Sequence, residues 1–278
     1  MKKLFKKVYI EISNVCNLKC PFCSPTNRPQ TVMTAEKFGE IIKQVKEYSD
    51  YIYLHVKGEP LIHPQFMEIL SIAEANKMKV NITTNGVMIN KVKETLFASK
   101  AIHQINISLH SMVCLNDKEK EIYLDSVYDF INDVSKKRSF FVSLRLWTKN
   151  KKLNETILHY LENKLNQKII ISRKSIMEQV YLSCDEEFSW PNLSLPFVSD
   201  IGTCLGTRDQ IAILANGDVV PCCLDAEGII KLGNLFEENL TVILAKPRFL
   251  EMKKGFENRK IVEELCKKCS YRLRFEKK

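Results

Sequence analysis

Three thiols stand within eight residues of one another near the start of the chain: Cys16, Cys20 and Cys23, in the stretch VCNLKCPFCSP. Their spacing is C-x3-C-x2-C, and the next cysteine is Cys114. Closely spaced thiolates suit zinc, copper(I) or an iron–sulfur cluster. Structural zinc closes its shell with four ligands, and no nearby Cys or His supplies the fourth. An iron–sulfur cube held by three cysteines instead leaves one iron free for another ligand. A second set follows far downstream: Cys204, the adjacent Cys222 and Cys223, and a C-x2-C pair, Cys266 and Cys269. Two distant cysteines plus C-x2-C can build a zinc ribbon or hold one cube through four thiolates, and thiolate count does not separate the two. Cys114 and Cys184 read as ordinary thiols.

Apolar, β-rich runs recur between amphipathic helical stretches, and they set where these thiols stand. Strands are predicted at VYIEIS (Val8–Ser13), YIYLH (Tyr51–His55), KVNIT, HQINISL, FFVSLRLW and KIIIS. Helices are predicted between them, at Thr34–Tyr48 with Thr34 as N-cap, QFMEILSIAEANK, near Ile89–Ala98, EKEIYLDSVYDFINDVSKK and Leu153–Leu165. A further return is allowed around Met177–Leu182. Such alternation predicts a parallel sheet with crossover helices. Six units are fewer than the eight of a closed barrel, so an α/β partial barrel or an open sheet is expected. The first cysteine triplet directly follows the first strand, and strand carboxyl ends are where β/α folds build their sites.

After Leu182 the composition changes to turn formers, as in SWPNLSLPFVSDIGTC. Two apolar runs around Asn216-Gly217 predict a hairpin. A helix over Leu240–Lys254 and the terminal CKKCSYRLRF complete a small module. The expected organisation is therefore a barrel over 1–182, a bridge over 183–203 and an α+β module over 204–278. The chain has 278 residues, 45% hydrophobic and 27% charged, ordinary for a globular protein. No run approaches the ~20 apolar residues of a membrane span. The basic MKKLFKK leads into a strand rather than an apolar signal segment, so a cytoplasmic location is expected. There, clustered cysteines speak for metal ligation rather than disulfides. A net charge of +9 reads first as a solvated lysine-rich surface, with nucleic acid as the lesser alternative.

C-x3-C-x2-C with Phe22 before the last cysteine resembles the signature of the radical S-adenosylmethionine (radical SAM) enzymes. The resemblance implies a 4Fe–4S cluster on Cys16, Cys20 and Cys23 whose free iron chelates the amino and carboxylate groups of S-adenosylmethionine. KGEP, with Gly58, Glu59 and Pro60, resembles the family's glycine–glutamate motif that holds the methionine ammonium; Lys57 stands where a glycine is often found. TTNG, with Thr84 and Asn85, and ISLHS, with Ser108 and His110, resemble the polar groups that approach the ribose and carboxylate. Arg145, inside VSLRLW, either meets the S-adenosylmethionine carboxylate or is an exposed strand residue. The tail is similar to the auxiliary-cluster module called SPASM, or its shortened form, twitch. A full module has about seven cysteines and two clusters; with five here, a second 4Fe–4S cluster on Cys204, Cys222, Cys266 and Cys269 is implied. Choosing Cys222 over Cys223 rests on the family pattern.

The chemistry this implies is reductive cleavage of S-adenosylmethionine to a 5′-deoxyadenosyl radical, hydrogen-atom abstraction, and transfer of an electron to the auxiliary cluster. A small substrate such as a sugar or aminocyclitol alcohol is expected, with peptide maturation or RNA modification as alternatives. Flavodoxin or ferredoxin is the implied electron donor. Candidate acid–base residues near the barrel mouth are His55, His110 and Arg173; His63 reads as a loop residue. A reading of another class is a zinc-bearing nucleic-acid-binding protein that uses the lysine-rich surface and YRLRF.

Overall fold

A computed structural model describes residues 3–171 and 175–276. The chain runs β1 (Lys7–Ile10), α1 (Ala35–Val45), β2 (Tyr51–Tyr53), α2 (Phe66–Ala75), β3 (Lys79–Thr84), α3 (Lys93–Ala98) and β4 (Ile102–Ser108). It continues through α4 (Asp117–Lys137), β5 (Phe141–Trp147), α5 (Lys151–Leu165), β6 (Ser175–Met177) and β7 (Val180–Asp185). The last part holds β8 (Gln210–Ile213), β9 (Asp218–Val220), β10 (Gly233–Asn234), α6 (Leu240–Ala245), α7 (Pro247–Glu257) and α8 (Glu264–Lys267). Among the described residues these strands form one open sheet, ordered β10-β9-β8-β1-β2-β3-β4-β5-β7-β6.

The helices cover one face. In α1, Ala35, Phe38, Ile41, Ile42 and Val45 are buried, the stripe that a 3.6-residue period produces, and Thr34 Oγ1 caps it by accepting from Lys37 N. In β5, Val142, Leu144 and Leu146 are buried toward the helices. Strand alternation therefore turns Ser143, Arg145 and Trp147 to the other face, the concave interior. A capping box of Asn116 and Glu119 starts α4, and Asn150 starts α5.

Three expectations are corrected. KIIIS forms no strand over residues 168–171, and Ser172 lies outside the described residues. Its β-branched residues suit a strand, but the slot beside β5 belongs to β7, which pairs Val180 with Val142 and Asp185 with Trp147. The helix expected over Leu240–Lys254 divides into α6 and α7 at Pro247. Proline lacks the amide proton and disfavours helical ψ at the preceding residue; Lys246 has ψ 145°. The third concerns the second module, which is not separate in its sheet. The predicted hairpin, β8 and β9, turns at Asn216-Gly217, and β8 pairs parallel with β1 from Lys7↔Gln210 to Ile10↔Ile213. Residues 186–200 carry no helix or strand, while the expected bridge over 183–203 overlaps the end of β7 at Asp185 and an isolated bridge at Ile201.

One carboxylate ties these parts together. Glu11, just past β1, is fully buried and binds the Arg28 guanidinium with two bonds of 2.6 and 2.8 Å. The same two oxygens accept from Lys57 N, after β2, and from Ala215 N, after β8, each at 3.0 Å. The cysteine loop, the KGEP loop and the hairpin thus share one anchor. Removing one partner of a buried pair strands the other. Glu11→Ala should therefore cost about 3–5 kcal/mol in anaerobic denaturant unfolding, well beyond the effect of removing the exposed Glu119 cap carboxylate.

Candidate active site

The strand ends and the bridge enclose a cavity of about 830 Å³. Cys16, Cys20 and Cys23 line one part of it, and Cys204, Cys222, Cys266 and Cys269 line another. All ten cysteines are free thiols. Among the described residues no three metal-binding side chains are drawn in around a single ion.

The first set sits among hydrogen-bond donors. Cys16 Sγ receives Leu18 N at 3.5 Å and lies 3.9 Å from Asn85 Nδ2. Cys23 Sγ lies 3.6 Å from the buried ammonium of Lys57, which also donates to Ser24 O and packs 3.9 Å over the Trp190 ring. Phe22 packs against His110 at 4.6 Å between ring centres, the rings tilted by 57°, and its carbonyl accepts from Trp190 Nε1 at 3.2 Å. Burial, then hydrogen bonding to Cys114, pushes the Cys20 thiol well up. Cys114, expected to stand alone, is thus a neighbour of the triplet.

The loops behind are built tightly. Gly58 has φ +76°, and a Cβ there would lie 2.2 Å from Ser13 O. Only glycine fits both conditions. Pro60 begins a short 3₁₀ turn. The carboxylate of Glu59 is spent internally: it accepts from Leu61 N at 3.0 Å, and from Thr84 Oγ1 and Asn85 N at 2.7 Å each. Burial raises its pKa, and these three donors pull it back. Glu59 and Thr84 thus face each other as a brace between two loops, while the Asn85 amide turns to Asn17 at 2.8 Å. Ser108 lines the cavity beside His110, whose Nδ1 lies 3.2 Å from Arg145 O. Burial holds His110 below its usual pKa. His63 packs as a buried loop residue with Nε2 2.9 Å from Met33 O.

The second set is more enclosed. Burial raises Cys222, Cys266 and Cys269, and pushes Cys204 up to about 11; neighbouring thiols add to the rise at Cys222, Cys266 and Cys204. Thiols that resist ionisation alone give thiolates readily to a metal, which supplies the missing positive charge. The donor set therefore fits a thiolate-held cluster, as does the first set with its N–H···S donors. Cys223 faces elsewhere: it packs against the apolar cluster that holds Tyr9, Val56 and Trp190. The pair lies in the turn past β9 rather than on the strand itself.

Between the two sets the interior of the sheet is aromatic and polar. Tyr9, Tyr53 and His55 cluster with ring centres 4.9 to 6.3 Å apart. Arg145 lies inside, 4.7 Å over the Trp147 ring, so it is not an exposed strand residue. Burial, then the charges of Arg145 and Lys7, hold His55 down to about 3. Its buried Nδ1 has no hydrogen-bond partner among the described residues. Arg173 lies outside the described residues.

Comparison with known proteins decides the family. Residues 10–142 match the model of the radical SAM superfamily, and residues 204–270 match SPASM, an iron–sulfur cluster-binding domain. The chain is a radical SAM protein with a C-terminal SPASM module. Its radical SAM part is 27% identical over 112 residues to GTP 3′,8-cyclase of Synechocystis sp., covering 38% of this chain and 34% of that one. It is 29% identical over 104 residues to PqqA peptide cyclase of Streptomyces rochei, covering 36% and 28%. The match thus spans about a third of these relatives. Among solved structures, BtrN in complex with AdoMet and 2-DOIA aligns with TM-score 0.58 at 17% identity, over 97% of this chain and 94% of that one. SuiB of Streptococcus suis bound to S-adenosylmethionine aligns with TM-score 0.57 at 19% identity, over 90% and 68%. These likenesses confirm the open, partial-barrel fold. The radical SAM domain implies a SAM-binding 4Fe–4S cluster, and the SPASM domain implies auxiliary iron–sulfur. No helix among the described residues is long and apolar enough to cross a membrane.

Sequence reasoning missed Glu11, Arg28 and Trp190. The signal for Glu11 was a carboxylate directly after an otherwise apolar strand; Trp190 stood in a segment read as a loop. The arginines of YRLRF, read as possible nucleic-acid contacts, are committed elsewhere. Arg272 is buried against Cys266 O, Ile201 O, Ser199 O and Glu276, and Arg274 pairs with Asp185 at 3.0 Å. Gly58→Ala should cost about 1–3 kcal/mol through its left-handed backbone and lower the iron retained after anaerobic gel filtration. Gly39→Ala, whose Cβ meets Ile72 only at an ordinary 3.8 Å, should keep both stability and iron.

Proposed function

We propose that this radical SAM enzyme holds its SAM-binding cluster on Cys16, Cys20 and Cys23. An auxiliary 4Fe–4S cluster sits on Cys204, Cys222, Cys266 and Cys269, and the enzyme oxidises a small hydroxylated molecule between them. The observation that carries this reading is that both thiol sets line one cavity whose middle is left to aromatic and polar side chains. When bound, the first cluster and S-adenosylmethionine supply an electron and a 5′-deoxyadenosyl radical able to take a hydrogen atom from carbon.

The chain's own residues position and shield. Lys57 and Asn85 direct N–H groups at the sulfurs of Cys23 and Cys16, which stabilises added negative charge there. Phe22, His110 and Trp190 pack beside the cysteine loop, in which Cys16 and Cys23 stay exposed to an incoming ligand. Glu59 and Thr84 fix the loop that presents Asn85. Cys204, Cys222, Cys266 and Cys269 would hold a second cluster with no iron left open, which would suit it to accepting an electron rather than to binding substrate. His55, held below its usual pKa by burial and by Arg145 and Lys7, lines the same space as a neutral side chain. A cavity that must also admit two clusters and S-adenosylmethionine suits a small reacting group. A flavodoxin or ferredoxin is the proposed reductant.

Protein purified without oxygen should be brown, with about eight irons per chain if two cubes are bound. A Cys16→Ala/Cys20→Ala/Cys23→Ala variant should keep about half of that iron, and loss of none would remove the first assignment. Cys222→Ala should lower iron where Cys223→Ala does not. Protein lacking Cys266 and Cys269 should still cleave S-adenosylmethionine while forming little product. Deuterium carried from candidate substrates into 5′-deoxyadenosine would identify the reacting carbon.

A further inference from the structure

Lysine is costly to bury, and Lys57 is buried beside a thiol assigned to the first cluster. It opens KGEP at the place where the radical SAM pattern often has glycine, so its charge belongs to this chain rather than to the motif. The ammonium lies 3.6 Å from Cys23 Sγ and donates to Ser24 O, the next residue of the same loop. After burial, the group acting on it most is Cys23, ahead of Glu227 and Glu11. Glu11 is already spent on Arg28 and two backbone amides.

Two later parts of the chain frame this ammonium. The Trp190 ring, from the bridge, lies 3.9 Å from it, and the indole is fixed in turn by its bond to Phe22 O. Glu227 comes from the SPASM module, a few residues past Cys222 and Cys223. One of its oxygens accepts from Asn27 N at 3.0 Å; the other is buried with no hydrogen-bond partner among the described residues. Lys57 and Glu227 border one small cavity of about 10 Å³, together with Ser24 and Trp190. A thiolate-held cube gains negative charge on reduction, and the charge and hydrogen bonds at its sulfurs set its potential. With the first cluster in place the Cys23 sulfur is a thiolate, so the ammonium is paired there rather than stranded.

We propose that Lys57 is a fixed charge that raises the reduction potential of the first cluster above what glycine at this place would give. Glu227 is the positioning residue that partly offsets this charge from the SPASM side. The inference rests on the assignment of the first cluster to Cys16, Cys20 and Cys23. It bears on the partner as well: an electron carrier of less negative potential suffices than a glycine variant would need. It also gives the SPASM module a second role, since one of its carboxylates reaches the first cluster through a single side chain.

The test is a mediated redox titration of the anaerobically reconstituted full chain, followed by electron paramagnetic resonance. The first cluster's signal is the one that changes when S-adenosylmethionine is added afterwards, and the auxiliary cluster's signal is the internal control. Lys57→Gln keeps a donor for Ser24 O and drops the charge. It should shift the first cluster about tenfold toward its oxidised form, a fall of about 59 mV for one electron. Lys57→Arg should keep most of the wild-type value. Glu227→Gln, which keeps an acceptor for Asn27 N, should raise the potential, and it gives a second reading should Lys57→Gln fail to fold. The auxiliary potential should stay in place throughout. An unchanged first potential in Lys57→Gln, or an equal fall in Lys57→Arg, would overturn the proposal. So would a shift of both clusters together, or no rise in Glu227→Gln. Failure of the radical SAM reading would show separately, as wild-type protein without iron or without a signal that responds to S-adenosylmethionine.

Discussion

The arrangement depends on one buried charge. Glu11 has lost all contact with water and recovers the cost through a two-pronged bond to Arg28 and two backbone amides. A buried ion pair seldom adds much net stability over an apolar substitute, but it imposes a particular geometry. Here that geometry is the meeting of three loops: Arg28 comes from beyond the cysteine triplet, Lys57 from the loop after β2, and Ala215 from the hairpin of the SPASM module. None of these loops has a core of its own. The carboxylate gives them a common reference point within hydrogen-bond tolerance, so the two thiol sets are held in one frame.

Glu59 repeats the device one strand later. Its carboxylate is shared among the loops after β2 and β3, and the result is the orientation of Asn85 toward Asn17 and Cys16. Two carboxylate-to-amide anchors, Glu11 to Lys57 N and Glu59 to Asn85 N, are thus joined by the short backbone of the KGEP loop.

Much of the fold was legible in the chain because local signals agreed. The apolar stripe and Thr34 cap of α1, the alternation of β5 and the Asn216-Gly217 turn each admit few other structures. What misled was any decision taken by a distant partner. KIIIS has the composition of a strand, but residues 180–185 fill the place beside β5, and no local pattern records that competition. In the same way, β8 looks like half of an isolated hairpin until it is found beside β1, some two hundred residues earlier in the sequence. The thiols were legible as two sets by spacing alone. That Cys114 stands beside Cys20 was not, since nothing local links a turn after β4 to a loop after β1.

The contrast between Cys222 and Cys223 shows how the two halves of the cavity are kept distinct. Adjacent residues in a tight turn project apart, and each side chain meets a different chemistry. Cys222 joins thiols from the bridge end and the C-terminal helix, where burial alone would keep all of them protonated. Cys223 meets Tyr9, a residue of β1 that also faces Arg145. One turn thus supplies a ligand-type sulfur to the module and a wall to the substrate space.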